Sequence, residues 1–259
     1  MMTDFEIFKA AFPKLCLCES GFSALTEGCF PIRKTGGFGL VKGNRIALIA
    51  VAPKFQRQGI GTGIFRECTE IARKNGCKSI GLGGGLFSGA VSESAGFFRK
   101  MGFETGGEFT EMELSLTDFA VPAIPVSENV SFGFFEGDMG ELKKAVAEVD
   151  EEWVQYFGSE PVFCGFADGK IAGFCIVGDK ETCLLSDGRS RIGSIGCVGV
   201  VPSFRRNGIG LKMVALAAKE LKKQGCDKAF IHFTHLDKWY GKLGARTFLR
   251  FFMVNEIEI

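Results

Sequence analysis

Apolar positions along the chain keep two rhythms. Near the start, Phe5, Phe8 and Phe12 stand at i, i+3 and i+7 and predict a short amphipathic helix over residues 4–12. Gly37 to Val41 and Arg45 to Val51 read as two strands of a hairpin closed at Gly43-Asn44. Then Ile64, Phe65, Cys68, Ile71 and Ala72 line one helical face, and Asn75-Gly76 stops that helix. Lys78 to Leu82 predicts a strand, as does Thr110 to Leu116, where Met112, Leu114 and Leu116 alternate against charge. Residues 13–34 hold no sustained period and read as irregular.

The later half follows a similar plan. Val130 to Phe135 predicts a strand, and residues 140–157 a helical stretch with Leu142, Val146, Val149, Trp153 and Phe157 along one side. A hairpin of residues 161–167 and 171–177 turns at Asp168-Gly169-Lys170. Residues 191–201 form a long strand, and the next helix presents Leu211, Val214, Ala215, Ala218 and Leu221 before stopping at Gln224-Gly225. Strands over 229–233 and 248–259 complete the pattern. Between the halves, Pro122 and Pro125 keep residues 118–128 extended, as in a linker.

Two stretches share more than rhythm. Val200-Val201-Pro202-Ser203-Phe204-Arg205-Arg206-Asn207-Gly208-Ile209-Gly210 parallels Val51-Ala52-Pro53-Lys54-Phe55-Gln56-Arg57-Gln58-Gly59-Ile60-Gly61, at a constant offset (200 − 51 = 149; 208 − 59 = 149). This is an internal duplication, with each copy one supersecondary unit. It predicts two domains, residues 1–117 and 129–259, joined by the linker 118–128. In each copy a strand runs into a glycine loop that opens a helix. A helix N-terminus has unpaired N–H groups and a partial positive charge, and glycines let an anion approach the backbone. The chemistry implied is binding of a pyrophosphate.

Composition narrows the partners. The 259 residues are 46% hydrophobic and 12% aromatic, enough for packed cores, and the formal charge of +1 gives no reason to expect a nucleic-acid or membrane partner. No 18-residue apolar run occurs, and Asp4 and Glu6 are unlike the start of a signal peptide, so a cytoplasmic location is expected. Ten cysteines are scattered without a Cys-x-x-Cys pair and only two histidines are present, so zinc spacing is absent and no metal is expected. Scattered thiols suit a reducing compartment.

The pattern Gln/Arg-x-x-Gly-x-Gly after Val-x-Pro resembles the acyl-CoA-binding motif of the GNAT N-acetyltransferases. Downstream, Trp239-Tyr240-Gly241-Lys242-Leu243-Gly244 and Phe97-Phe98-Arg99-Lys100-Met101-Gly102-Phe103 resemble the family's closing helix, with phenylalanine at the tyrosine position in the first copy. The resemblance covers roughly residues 28–116 and 130–259. It implies an α/β (α+β) protein of two GNAT-like domains, each a mixed, mostly antiparallel sheet flanked by helices. It also implies an acyltransferase that moves an acetyl group from acetyl-CoA directly to an amine of a small molecule. The cofactor would contact Val198, Gly199, Val200, Arg205, Arg206, Asn207, Gly208, Ile209, Gly210 and Leu211 in the second copy, and Val51, Gln56, Arg57, Gln58, Gly59, Ile60, Gly61 and Thr62 in the first.

For chemistry, the resemblance points to Tyr240 as the general acid that protonates the departing thiolate. The central strands carry no carboxylate to act as base; His235 and His232, close by in sequence, are candidates to act directly or through water, the alternative being that both are structural and solvent takes the proton. GNAT domains usually place a strand and two helices where residues 13–34 lie, so the first copy is expected to be abbreviated and the second to be catalytic. Two other readings compete. One is a non-catalytic acyl-CoA sensor or scaffold. The other, nucleotide binding, lacks both a Gly-x-x-x-x-Gly-Lys-Ser/Thr stretch and a ribose-binding acidic residue.

Overall fold

The computed structural model describes residues 2–259, which pack as two compact units that are not contiguous in sequence. The first takes the described residues through Thr110 together with Thr182–Arg189 and Phe248–Ile259; the second takes Glu111–Glu181 and Ser190–Thr247.

The first unit begins with α1 (Asp4–Ala11), whose start is fixed by a capping box in which Thr3 accepts from the Glu6 amide and Glu6 accepts from the Thr3 amide. Its buried Phe8 ring lies 5.0 Å from Phe22 of α2 (Glu19–Leu25), and Phe22 meets Phe38 edge-on. Strands β1 (Phe30–Lys34), β2 (Gly37–Lys42) and β3 (Arg45–Val51) run antiparallel in that order. Residues 13–34 are therefore less irregular than their pattern predicts. The helix they contain has seven residues with a glycine inside it, too short for a helical stripe to show.

Helix α3 (Ile60–Lys74) covers this sheet, burying Ile64, Phe65, Cys68 and Ala72, the stripe expected from the sequence. Next come β4 (Ser79–Leu82), β5 (Ala90–Val91) and α4 (Ala95–Lys100), and then β6 (Thr105–Ser115), of which residues 105–110 count with this unit. The intervening glycines serve the fold. A side chain on Gly85 would come within 2.7 Å of the Ala47 Cβ, and one on Gly89 within 2.3 Å of the Phe252 carbonyl.

In the second unit, β7 (Val130–Phe134) is followed by α5 (Met139–Ala147) and a 3-10 turn over Glu151–Tyr156. The single helical stretch predicted here is thus two pieces. The break falls where Asp150 turns its carboxylate back to accept from the Glu152 amide and starts a new turn. Strands β8 (Val162–Ala167), β9 (Lys170–Asp179) and β10 (Ile192–Val200) extend the sheet from β7 in antiparallel pairs. After α6 (Ile209–Lys223) comes β11 (Lys228–Thr234), parallel to β10, and then the short helix α7 (Asp237–Gly241). Residues 111–115 of β6 border β11 on its far side.

Most of β12 (Arg246–Val254) and all of β13 (Ile257–Glu258) belong to the first unit, where Phe251 pairs with Val91 and Ile257 with Ile80. The last strands of the second sequence copy thus complete sheets of the first unit.

The second unit has a core on each face of its sheet. On one face, Met213, Val214, Ala217 and Leu221 of α6 pack on Met112, Leu114, Ala229 and Ile231, with Tyr240 among them. On the other, Leu142, Val146 and Phe157 cover Val162, Cys164 and Phe174.

Candidate functional site

Both glycine loops adopt the same backbone path. Each begins with a 3-10 turn on its proline, Pro53–Phe55 or Pro202–Phe204. Each then reverses through a positive-φ arginine, Arg57 at 61° or Arg206 at 67°, and a left-handed glycine, Gly59 at 79° or Gly208 at 76°. Non-glycine residues visit that region seldom, so two arginines held there mark a loop fixed by its surroundings. Part of that fixation is a side-chain tether. Gln56 donates through Nε2 to the Val51 carbonyl at 3.0 Å, and Arg205 donates through Nε to the Val200 carbonyl at the same 3.0 Å. Gln58 adds a bond to the Lys54 carbonyl in the first copy.

The first intrahelical bonds run from Gly63 to Gly59 and from Lys212 to Gly208. The amides of Ile60, Gly61 and Thr62, and of Ile209, Gly210 and Leu211, therefore point out of their helices without helical acceptors. Together with the macrodipole this suits an anion. The glycines themselves are not all there for the anion. A side chain on Gly210 would come within 2.9 Å of Val200 Cγ2 and 3.4 Å of Trp239, and one on Gly61 within 3.4 Å of Phe97. These two glycines let the helix lie close to the strand and the closing helix. Gly59 has open space beside it, whereas a side chain on Gly208 would meet the Pro125 carbonyl at 2.5 Å. In the second unit the linker lies against the loop.

Beside each loop, two parallel strands part. The registered pairs of β3 with β4 are Arg45↔Gly81 and Ile46↔Leu82, and those of β10 with β11 are Ile192, Ser194 and the glycine between them against Lys228, Phe230 and the alanine between them. Beyond these pairs, β3 and β10 have no registered partner on that edge among the described residues. On β10 the register slips between Gly196 and Gly199, with Cys197 at φ 45° inside the bulge. Such a bulge re-aims backbone groups at the mouth of the opening. Val198 packs partly on the α6 core, while Gly199 and Val200 pair with β9 on their other side.

Around the first opening lies a cleft of about 830 Å³. Ile49, Val51, Arg57, Gly59, Gly61 and Thr62 form one wall, and Phe97, Glu93, Ser94 and Lys100 stand on another, with Lys14 at the rim. Phe98, at the tyrosine position, is buried edge-on against Phe97 and Phe103 and offers no proton.

The second copy supplies the phenol. Tyr240 is 4% exposed and stacks edge-on with Trp239 at 4.8 Å. Burial pushes its phenol well above the usual range, and the nearby thiols of Cys175 and Cys197 act in the same direction. It therefore keeps its proton at all ordinary pH values, the form a general acid needs.

His235 lies one residue past β11 and is exposed. His232 is held by a buried carboxylate: its Nδ1 is 2.8 Å from Glu111 Oε2, and the Phe233 amide donates to the same oxygen at 3.4 Å. Glu111 is only 2% exposed, although its strand alternates charge with apolar residues and reads as solvent-facing on that side. The sequence signal was faint, a carboxylate at the start of a strand that later pairs with the histidine strand.

All ten cysteines are free, and among the described residues no cluster of His, Cys, Asp and Glu could hold a metal ion. No helix among them is long and apolar enough to cross a membrane.

Residues 133–245 match the acetyltransferase (GNAT) family model, and residues 23–105 match an acetyltransferase (GNAT) domain model. Among solved structures, a glucosamine N-acetyltransferase region of a fungal multi-domain beta-N-acetylglucosaminidase superposes with a TM-score of 0.72 at 20% identity, over 97% of this chain and 36% of that one. The chain thus spans little more than a third of that protein. A tandem GNAT protein from the clavulanic acid biosynthesis pathway gives 0.56 at 17% identity over 99% of this chain and 96% of the other. An N-acetyltransferase from Sphaerobacter thermophilus gives 0.61 at 18% identity over 86% and 76%. At these identities the likeness establishes the fold. No curated protein matches the chain.

Proposed function

Because both halves of this chain belong to the GNAT acetyltransferase family, we propose that it moves an acetyl group from acetyl-CoA directly to an amine of a small molecule, with transfer in the second unit and Tyr240 as general acid. The observation that carries the reading is the meeting of three features in that unit: a loop of outward-facing amides, a bulged strand edge, and a buried phenol beside them.

Acetyl-CoA supplies an activated thioester. The amides from Arg206 to Leu211 would hold its pyrophosphate, and the free edge of β10 from Cys197 to Val200 would pair with the amides of its arm. Backbone N–H groups near Val198 would polarise the thioester carbonyl. Tyr240 would give its proton to the sulfur as the C–S bond breaks, and would recover one from solvent. In the test, Tyr240→Phe lowers kcat about 10²-fold across a panel of alkyl amines and amino sugars, with little change in the KM for acetyl-CoA. Unchanged turnover overturns the assignment.

The first unit supports a second reading, an acyl-CoA receptor that does not transfer. Its cleft of about 830 Å³ has room for a ligand, and Phe98 stands where an acid is needed. Equilibrium dialysis then finds two acetyl-CoA molecules per chain, and Gly59→Glu, which sets a negative charge among the loop amides, reduces the count to one. A count of one in the parent chain removes the receptor reading.

A further inference from the structure

Glu111 is a carboxylate almost wholly withdrawn from water, at 2% exposure, while the imidazole it holds is 52% exposed. Burying a carboxylate costs free energy unless it is well bonded, and a surface histidine alone needs no such anchor. The residues that follow, Phe233 at 38% exposure and Leu236 at 44%, are large apolar side chains open to solvent. Phe233 also takes a positive φ of 54°, a conformation that places its amide toward Glu111 Oε2. Buried acid, oriented imidazole, apolar surroundings and local strain coincide at one strand end.

We propose that Glu111 and His232 form the proton-accepting pair for the amine substrate, with His232 as the base and Glu111 as the residue that positions it. This rests on transfer in the second unit. With Glu111 ionised, the complementary tautomer has its hydrogen on Nδ1, bonded to the carboxylate, and leaves the lone pair of Nε2 facing outward.

Side chains alternate along a strand, and this separates acid from base. Ala229 and Ile231 of β11 face the core that holds Tyr240. Phe230 and His232 face the other way, their rings 5.5 Å apart. On the same face the alternation also places Lys228 on β11 and Glu113 on β6. The opening between β10 and β11 begins beyond Ser194 and Phe230, level with His232. A thioester threaded through it would meet the phenol on one face of the sheet and the imidazole on the other. That arrangement suits direct transfer, since the base acts on the amine nitrogen as it adds to one face of the planar carbonyl, while the acid acts on the sulfur when the tetrahedral intermediate collapses.

The protons balance. An alkyl amine is mostly an ammonium ion at neutral pH. Nε2 of His232 takes one proton from it, and the resulting imidazolium is neutralised by Glu111. The freed lone pair forms the N–C bond, the C–S bond breaks, and the sulfur receives the proton of Tyr240. Loss of the second proton from nitrogen to solvent completes the amide, and His232 releases its own proton to water.

The test compares an alkyl amine with an aromatic amine, which is already unprotonated at neutral pH. His232→Gln should lower kcat for the alkyl amine by about 10²-fold and for the aromatic amine by about 3-fold or less. Added imidazole should restore part of the alkyl-amine rate in His232→Ala. Glu111→Gln should give a smaller loss with KM unchanged, and Glu111→Asp should recover some of it. Melting curves identify any variant that has lost its fold, and His232→Gln, altered at an exposed side chain, keeps the test open if the Glu111 variants do. Equal losses for both amines, or no loss for either while Tyr240→Phe is impaired, overturn the pair alone. If Tyr240→Phe is also unimpaired, transfer in the second unit fails with it.

Discussion

Gln56 and Arg205 tie their loops to equivalent carbonyls at the same 3.0 Å, yet Gly59 borders open space and Gly208 borders the Pro125 carbonyl. The backbone of the loop is thus reproduced by two different side chains, while what lies around it has diverged. The first copy has a cleft of about 830 Å³ and carries Phe98 where the second has a phenol. The second carries Tyr240 and has the linker against its loop. The duplicated motif fixes the loop's path, while chemistry and space are set by residues elsewhere.

The comparison can be broken most forcefully at the paired glycines. In Gly208→Ala the new methyl meets a backbone carbonyl at 2.5 Å and sits at φ 76°, so a loss of about 2–4 kcal/mol is expected in denaturant unfolding. Gly59→Ala bears only the strain of φ 79° and should cost about 1–2 kcal/mol. Equal losses would mean that the linker yields freely. Next in size, Gly210→Ala crowds Val200 at 2.9 Å and should cost about 1–3 kcal/mol, against less than about 1 kcal/mol for Gly61→Ala, whose nearest contact is 3.4 Å.

Smaller still, Gln56→Ala and Arg205→Ala should each cost about 1 kcal/mol, by loss of one hydrogen bond in an exposed loop. The exchanges Gln56→Arg and Arg205→Gln should come close to neutral in the same melts if the tether alone matters.

The smallest effect concerns pH. Burial raises the Tyr240 phenol above its unfolded value near 10, so its contribution to stability is complete below about pH 10 and is lost as pH rises beyond it. Thermal melts should therefore show an alkaline loss above about pH 10 that Tyr240→Phe diminishes, and no change from this group between about pH 6 and 9. The first copy, with Phe98, has no counterpart.

Much of this was legible in the residues. The loops, the helices behind them and the hairpins announce themselves because glycine, proline and a regular apolar stripe act locally. Helix α2 did not, since seven residues with Gly21 inside cannot display a stripe. The burial of Glu111 was not legible, because alternation tells which residues share a face and not what later covers it; the pairing of distant strands buries it. The same holds for the cleft, whose walls come from four separated stretches of chain. Tyr240 was readable as a phenol on the closing helix, but its depth depends on α6 and β11 packing around it.

The return of the last strands to the first unit has a consequence for biosynthesis. Val91 waits for Phe251, which a ribosome adds 160 residues later (251 − 91 = 160). At about 5–20 residues per second that delay is roughly 8 to 32 s. During that interval the earlier-made unit stands with the edges of β4 and β5 unpaired, so the half synthesised first is the half that finishes last.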